Sequence, residues 1–187
     1  MAKKWVVSLH RRKLDYLMAK IKPSLTGVNS VLDLGCGSGE VSKELIDRGY
    51  KVTSVDVVDK SKVEGLKVVV YDGKSLSNYT DKMFDLVLLV TVLHHIKDYE
   101  VVLSEAKRVG KKVLVIEDVY ENAWSRFWTM FWDSALNFEF FGHPHSNQND
   151  AGWKKTFKKL GFQVVCEDFG KIKEIIYEFR QKIYLLK

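Results

Sequence analysis

The sequence predicts an α/β fold built on a doubly wound, mainly parallel sheet of seven strands with helices on both faces. Short apolar runs alternate with helical patterns between residues 30 and 117, as in sheets whose parallel strands are joined by crossover helices. A glycine-rich turn at 35–39 follows the first run, where such sheets bind ligands. The last two runs, 162–167 and 175–186, are joined by about seven residues, too few for a helical crossover. We therefore expect one antiparallel strand near the C-terminal edge.

Length and composition indicate one globular domain. The chain has 187 residues, of which 46% are hydrophobic and 29% charged, so a disordered protein is excluded. The longest largely apolar stretch, 86–93, is too short to span a bilayer, and no apolar signal-peptide region follows the first lysines. We therefore expect a cytoplasmic protein. Cys36 and Cys166 are too few for a disulfide framework or a tetrahedral zinc site, and no metal site is expected.

The segments of this domain follow from the hydrophobic periodicity. Residues 1–23 form an N-terminal helix that Pro23 ends, and residues 28–117 form a ligand-binding core. Residues 118–149 combine dense aromatics with a polar loop, which predicts a substrate or lid segment, and residues 150–187 form a helix and a hairpin. The core strands are predicted at 30–34, 51–55, 66–71, 84–90 and 112–117, and its helices at 40–48 and 98–109.

The glycine turn carries the chemical signal. Residues 31–39 read V-L-D-L-G-C-G-S-G, whereas the third glycine of a dinucleotide fingerprint would fall at Glu40. Glu40 and Asp33 would both repel a pyrophosphate at the helix N-terminus, so the charges favour a ligand that is cationic at sulfur and nitrogen. Asp56 ends the second strand, where its carboxylate can accept hydrogen bonds from both hydroxyls of a ribose.

These motifs resemble those of the class I S-adenosylmethionine-dependent methyltransferases, particularly the compact type 11 group. Residues 31–39 are similar to the family's first motif and Asp56 to its ribose-binding acid. Residues 72–76 look like the motif whose acid binds the adenine amino group, and 84–96 like the one that holds the methionine part. The resemblance implies a Rossmann-like methyltransferase fold, with S-adenosyl-L-methionine as methyl donor and S-adenosyl-L-homocysteine as product. The cofactor-binding residues that it implies are Asp33, Leu34, Gly35, Cys36, Gly37, Gly39, Asp56, Val57, Asp72, Gly73, Val90, Thr91, His94 and His95.

Structural roles are open for several of these residues. Asp33 could be a helix-cap or turn residue, and Asp72 could open a turn with Gly73. His94 and His95 follow a buried strand, where a His pair taken by itself is more often structural than catalytic. The resemblance implies that one of them lines the cofactor cleft. Asp98, the carboxylate close behind them, is predicted to cap the next helix.

The aromatic segment is predicted to form a helix. Trp124, Phe127, Trp128, Phe131 and Trp132 recur at three- and four-residue intervals. Such a helix would pack on the sheet edge, form a lid or pocket wall for an apolar acceptor, or lie in a membrane surface or dimer interface. We take Trp124, Trp128 and Trp132 as candidate substrate contacts, with the last two turned toward the core or pocket. The segment is expected to cover the methyl end of the cofactor as a mobile lid.

The polar loop at 142–149 holds the candidate catalytic residues. His143 or His145 could remove a proton from the acceptor, although both histidines could equally be exposed to solvent. Asn149 could simply cap the next helix. Direct displacement needs no protonation of the leaving sulfide, so catalysis can depend on proximity and orientation without a dedicated base.

The function predicted is methyl transfer to a small, apolar or aromatic molecule. One alternative is an RNA or protein methyltransferase that uses the basic face at 154–159, in a chain of net charge +6. Against it, the fourth-strand motif lacks the Asn/Asp-Pro-Pro-aromatic tetrad of many base N-methyltransferases. Another alternative is a non-catalytic cofactor-binding partner subunit, which the intact glycine loop argues against. The oligomeric state and the acceptor atom cannot be read from the sequence.

Overall fold

The fold was obtained as a computed structural model, which describes residues 2–137, 146–174 and 177–187. The helices are α1 (Ala2–Ile21), α2 (Glu40–Asp47), α3 (Tyr99–Val109), α4 (Ala123–Asn137) and α5 (Asp150–Lys159). The strands are β1 (Ser30–Leu34), β2 (Lys51–Asp56), β3 (Val68–Val70), β4 (Leu86–Val90), β5 (Val113–Asp118), β6 (Val164–Glu174) and β7 (Tyr177–Leu186). Short 3-10 turns lie at Lys22–Leu25 and Leu93–His95.

The sheet has seven strands in the order β3-β2-β1-β4-β5-β7-β6. Neighbouring strands are parallel from β3 to β5, whereas β7 runs antiparallel to both β5 and β6. The predicted fold class is confirmed, including the reversed strand near the C-terminal edge. The register aligns Asp33 with Ser54 and Leu88, so the carboxyl ends of β1, β2 and β4 meet at one edge.

Helices cover both faces of this sheet. On one face, α1 and α2 pack Leu17, Ile21 and Leu45 against β1, β4 and β5. On the other, α3 and α5 contribute Leu103 and Trp153 to the larger cluster. Side chains of β1, β4 and β5 are buried on both faces, which explains why these strands read as continuous apolar runs.

The predicted alternation of strand and helix is incomplete. Residues 57–67 and 71–85, both described throughout, connect β2 to β3 and β3 to β4 by turns and contain no helix. These segments lack an apolar stripe at helical spacing, and their turn-forming glycines and aspartates favour loops. β3 is correspondingly a short edge strand whose Val69 and Val70 are exposed.

The C-terminal hairpin is longer than predicted. β6 and β7 pair from Val164↔Leu186 to Glu174↔Tyr177, so the residues predicted to connect the strands, 168–174, all belong to β6. The expected antiparallel pairing is confirmed. Lys20 of α1 donates from Nζ to Oδ2 of Asp168 (2.8 Å) and to the carbonyl of Phe169 (3.0 Å). The extended strand therefore forms a docking site for α1.

Two capping predictions had different outcomes. Asn149 caps α5, because its Oδ1 accepts from the Gly152 amide at 2.8 Å. The capping prediction for Asp98 is wrong. This residue precedes α3, but its side chain makes no capping hydrogen bond because its backbone is outside the extended conformation that caps normally adopt.

The structure also bears on disulfides, metal sites and membrane-spanning helices. Cys36 is buried, Cys166 is exposed, and neither forms a disulfide. Within the described ranges, no group of His, Cys, Asp or Glu side chains could hold a metal ion. None of the helices in the described part of the chain is both long enough and apolar enough to cross a membrane.

Candidate active site

The glycine loop between β1 and α2 is fixed by contacts with β2. The amides of Gly35 and Cys36 both donate to the carbonyl of Val55, at 2.8 and 3.1 Å. Gly35 has φ of 81°, and a Cβ there would lie 2.3 Å from Cγ2 of Val92. Only glycine satisfies both the backbone conformation and the close approach at this position.

Asp33 is buried at the carboxyl end of β1 and is held by a chain of serines. Ser42 Oγ donates to Oδ2 of Asp33 at 2.6 Å, and Ser54 Oγ donates to Ser42 Oγ at 2.7 Å. Burial raises the pKa of Asp33 to about 6, the Ser42 hydrogen bond opposes this, and Asp56 adds to it. Asp33 does not cap α2, whose N-cap residue is Gly39. Its carboxyl group instead lines a cleft.

Asp56, the last residue of β2, joins that strand to the glycine loop. Its Oδ2 accepts from the Gly37 amide at 2.8 Å, and its Oδ1 accepts from the Val57 amide at 2.7 Å. Each carboxylate oxygen has two lone pairs, so both can accept a further hydrogen bond. Val57 is exposed beside Gly73, where an added Cβ would lie 3.2 Å from Val57 Cγ1. The segments that follow β2 and β3 therefore lie side by side.

Asp72 forms a local turn. Its Oδ1 accepts from the amides of Ser75 (2.7 Å) and Lys74 (2.8 Å), and these bonds lower the pKa of the exposed carboxyl group. Asp72 therefore has the turn-forming role that the sequence left open for it. Contact with an adenine amino group stays a prediction.

His94 is turned into the protein toward Glu117. The two side chains are 1% and 0% exposed, and His94 Nδ1 lies 2.5 Å from Oε2 of Glu117. The His95 ring is 4.1 Å from that of His94 between centroids. Neither histidine is among the described residues lining the cleft, and their part in cofactor binding stays a prediction.

Glu117 also fixes the segment that follows β4. Its Oε1 accepts from the amides of Val92 (2.9 Å) and Leu93 (2.7 Å). The preceding residue, Thr91, has φ of 49°, which is uncommon for a β-branched side chain. This role of Glu117 was not predicted, although a carboxylate at the carboxyl end of an otherwise apolar strand was a signal for it.

The cleft lies between α1, the glycine loop and the end of β4, with a volume of about 200 Å³. Its lining combines carboxylates, one lysine and aliphatic side chains. The residues are Lys13, Leu14, Leu17, Asp33, Gly35, Cys36, Gly37, Ser38, Glu40, Val41, Val90 and Thr91. The contribution of α1 was not predicted, because the periodicity of residues 1–23 indicated only an N-terminal helix and no part in a ligand site.

Asp118 is a second buried carboxylate at this edge, one residue beyond Glu117. Gln181 Nε2 donates to its Oδ1 at 2.8 Å. Burial raises the pKa of Asp118 to about 6, against the attraction of His94 and the Gln181 hydrogen bond. No role was predicted for Asp118 from the sequence.

The predicted aromatic helix is present as α4, but its aromatic residues are distributed over two faces. Trp132 stacks on Tyr177 of β7, with 6.5 Å between ring centroids, whereas Trp124 is exposed and Trp128 is half-buried. The described lining of the cleft includes no residue of α4. His143 and His145 lie outside the described residues. Their catalytic role and the role of the tryptophans in substrate binding stay predictions.

Comparison with known proteins agrees with this arrangement. A family model for a methyltransferase domain matches residues 32–114, which include the end of β1, the glycine loop, β2, β3 and β4. A SAM-dependent methyltransferase from Archaeoglobus fulgidus superposes with a TM-score of 0.70 at 18% identity, covering 93% of this chain and 94% of that one. Magnesium protoporphyrin IX methyltransferase from Synechocystis, solved with bound SAH, superposes with a TM-score of 0.66 at 18% identity. The superposition covers 100% of this chain and 86% of that one.

A curated relative of similar sequence is the ubiquinone biosynthesis O-methyltransferase of Rickettsia bellii. It is 27% identical over 116 residues, which are 56% of this chain and 48% of the relative. The chain thus spans about half the length of this relative. The predicted fold is confirmed: the chain has the fold of the class I S-adenosylmethionine-dependent methyltransferases, and its residues 32–114 match the family model for a methyltransferase domain.

Proposed function

We propose that this chain is an enzyme that transfers a methyl group from S-adenosyl-L-methionine to a small molecule and releases S-adenosyl-L-homocysteine. The observation that carries the proposal is the buried Asp33, held by Ser42 beside the glycine loop, with Asp56 at the end of the adjacent strand. Two carboxylates at these positions suit a ligand with a cationic amino acid part and a ribose. Glu40 lines the cleft together with Asp33 and is a third acidic group near the glycine loop, which disfavours a pyrophosphate.

Each part of the methyl donor has candidate partners. Asp33 would hold the ammonium group, Asp56 the ribose hydroxyls, and Val90 and Thr91 the methionine chain. Val57, Asp72 and Gly73 would flank the adenine. Leu34, Gly35, Cys36, Gly37 and Gly39 would bring the backbone close to the ligand.

The donor supplies an electrophilic methyl group on a cationic sulfur when it is bound, so the protein has mainly to orient the acceptor. Burial raises the pKa of the Cys36 thiol to about 12, with Asp33 and Asp56 adding to the shift. The thiol is therefore neutral at physiological pH and is no candidate nucleophile. His143 and His145 remain the candidates for taking a proton from the acceptor.

The acceptor that we favour is a small apolar molecule with a reactive oxygen. Leu14, Leu17, Val41 and Val90 give the cleft an aliphatic lining, and Lys13 is the cation among its lining residues. An ammonium group there can orient an acidic hydroxyl and stabilise its ionised form. The relative from Rickettsia bellii is by name an O-methyltransferase of ubiquinone biosynthesis, which supports this acceptor class. Residues 118–149, with Trp124, Trp128 and Trp132, are the segment that we propose to complete the acceptor site.

An unbiased labelling experiment tests the proposal. The full chain is incubated with donor carrying an isotopically labelled methyl group and with separate small-molecule, RNA and protein fractions, and products are identified by mass spectrometry. We expect labelled small molecules, and less label at the same donor concentration with Asp56→Ala. Label in RNA or protein would replace the proposed acceptor class. Tight donor binding without transfer to any fraction would favour a partner subunit.

A further inference from the structure

The outer face of α4 carries a cluster of aromatic side chains exposed to solvent. The exposed fractions are 71% for Trp124, 57% for Phe127 and 43% for Phe131. Trp128 lies between them, with edge contacts of 5.4 to 5.8 Å between ring centroids. These spacings place all four on one helix face. A contiguous exposed apolar patch of this kind marks an interaction surface.

An adjoining face of α4 holds the helix in this orientation. Thr129 is buried, and its Oγ1 lies 3.1 Å from the Tyr177 hydroxyl oxygen. The ring of Trp132 stacks on that of Tyr177. Because the polar contact and the stacking both hold α4 to β7, the aromatic face is directed away from the hairpin.

Exposed cations lie on α4 itself and on α1. Arg126 is exposed on α4, with its guanidinium 5.6 Å from the centroid of the Tyr120 ring. Glu121, just before the helix, is paired with Arg180. Arg12 is exposed on α1, next to the Lys13 that lines the cleft. With a net charge of +6, the chain is attracted to anionic surfaces.

The size of the face argues against a second copy of the chain as its main partner. Full burial of Trp124, Phe127 and Phe131 would remove on the order of 400 Å² from water, using ~150–250 Å² for a whole aromatic side chain. A stable protein interface buries about 800 Å² on each partner. A helix that lies in a bilayer surface needs only one apolar face, and Trp and Phe are typical of such faces.

We propose that the outer face of α4 docks onto the surface of membranes that contain anionic lipids. α4 follows β5 at the carboxyl edge of the sheet, the same edge at which the cleft opens. Docking would therefore bring this edge of the sheet toward the interface, where apolar molecules partition. This membrane association goes beyond the proposed methyl transfer and does not require it.

Co-sedimentation of the full chain with vesicles tests the docking. We expect binding to vesicles of phosphatidylcholine with phosphatidylglycerol, weaker binding to phosphatidylcholine alone, and release by added salt. The double variant Trp124→Ser/Phe127→Ser should lower the partition coefficient at least about tenfold, because two interfacial rings are lost. The matched control is Met83→Ser/Val101→Ser, whose side chains are 51% and 45% exposed elsewhere, and it should bind like the unmodified chain.

A second measurement does not depend on any variant folding. Brominated lipid in the same anionic vesicles should quench the tryptophan fluorescence of the unmodified chain, because α4 brings Trp124 to the bilayer. Docking is refuted if neither vesicle binds, if the double variant binds like the unmodified chain, or if no quenching occurs. It is also refuted if light scattering shows a dimer that the double variant converts to a monomer, since a second copy would then cover the face. Sedimentation uses neither methyl donor nor acceptor, so a failure here leaves the proposed reaction untouched.

Discussion

The imidazole of His94 and the carboxylate of Glu117 meet inside the protein, with 2.5 Å between Nδ1 and Oε2. The same carboxylate accepts hydrogen bonds from the amides of Val92 and Leu93 through its second oxygen. Two amides and one imidazole nitrogen therefore converge on one buried carboxyl group, which fixes the segment next to the cleft. Removing Glu117 would leave these groups without their acceptor, at a cost of about 1–3 kcal/mol for each unsatisfied group.

We therefore predict that Glu117→Ala lowers the free energy of unfolding by about 2–4 kcal/mol, and that Glu117→Gln, which keeps an acceptor oxygen, costs less. Urea denaturation measures both values. The matched control is Glu64→Ala, at an exposed glutamate, which should stay within about 0.5 kcal/mol. Equal stability of Glu117→Ala and the unmodified chain would show that the contacts of Glu117 do not contribute to the free energy of unfolding.

Alanine substitutions at Gly35 and Gly49 distinguish the cost of backbone strain from the cost of a steric collision. Both have positive φ, at 81° and 89°, but an added Cβ at Gly49 meets nothing within 4 Å, whereas at Gly35 it meets Val92 at 2.3 Å. Gly49→Ala should cost about 1–2 kcal/mol from conformation alone, and Gly35→Ala should cost more. The double variant Gly35→Ala/Val92→Ala should recover part of the difference, as measured by thermal unfolding. No recovery would mean that Val92 is not the obstacle.

The sequence predicted those features that depend on local pattern. The glycine loop at 35–39 and the buried strand ending at Val90 both follow from periodicity and turn chemistry. The role of Glu117 was not predictable in this way, because it depends on the register that pairs Val90 with Ile116 across two strands. The place of Lys13 in the cleft depends likewise on how a whole helix packs against the sheet. Long-range packing of this kind leaves no local signal in the chain.

Asp56 provides the most direct test of the cofactor site. Asp56→Ala removes the proposed acceptor of the ribose hydroxyls and the bond to the Gly37 amide, so we expect S-adenosylhomocysteine to bind about 1–3 kcal/mol more weakly. Isothermal titration calorimetry gives the Kd. Asp47→Ala, at an exposed aspartate paired with Lys43 on α2, is the matched control and should bind normally. An unchanged affinity in a folded Asp56→Ala protein would remove this residue from the site, and preferential binding of NAD would overturn the assignment.

Lys13 tests the proposed acceptor class. Lys13→Met keeps the aliphatic stem but removes the charge, so turnover of an acidic hydroxyl should fall about 10-fold or more through kcat/KM. The Kd of S-adenosylhomocysteine should change little, because Lys13 is assigned to the acceptor. Steady-state kinetics with the acceptor found by labelling gives both constants. Lys22→Met, on an exposed lysine in the 3-10 turn after α1, is the control. A weaker Kd with unchanged kcat/KM would assign Lys13 to the donor instead.

Asp33 should make donor binding depend on pH. Its pKa is raised to about 6, chiefly by burial, so the carboxyl group of the ligand-free protein is largely protonated at pH 5 and ionised at pH 7.5. The ionised form attracts the cationic amino group of the ligand, so binding favours deprotonation and lowers the pKa in the complex. Affinity should therefore rise as the pH increases from 5 to 7 and level off above, with proton release on binding in that range. Calorimetry in two buffers of different ionisation enthalpy measures this release.

The variant Asp33→Asn should bind the donor more weakly and lose this part of the proton release. Asp118, the other buried carboxyl group with a pKa raised to about 6, provides the control, because Asp118→Asn should keep the Asp33 contribution. Proton uptake, or a pH profile that Asp33→Asn leaves unchanged, would show that Asp33 does not hold the amino group.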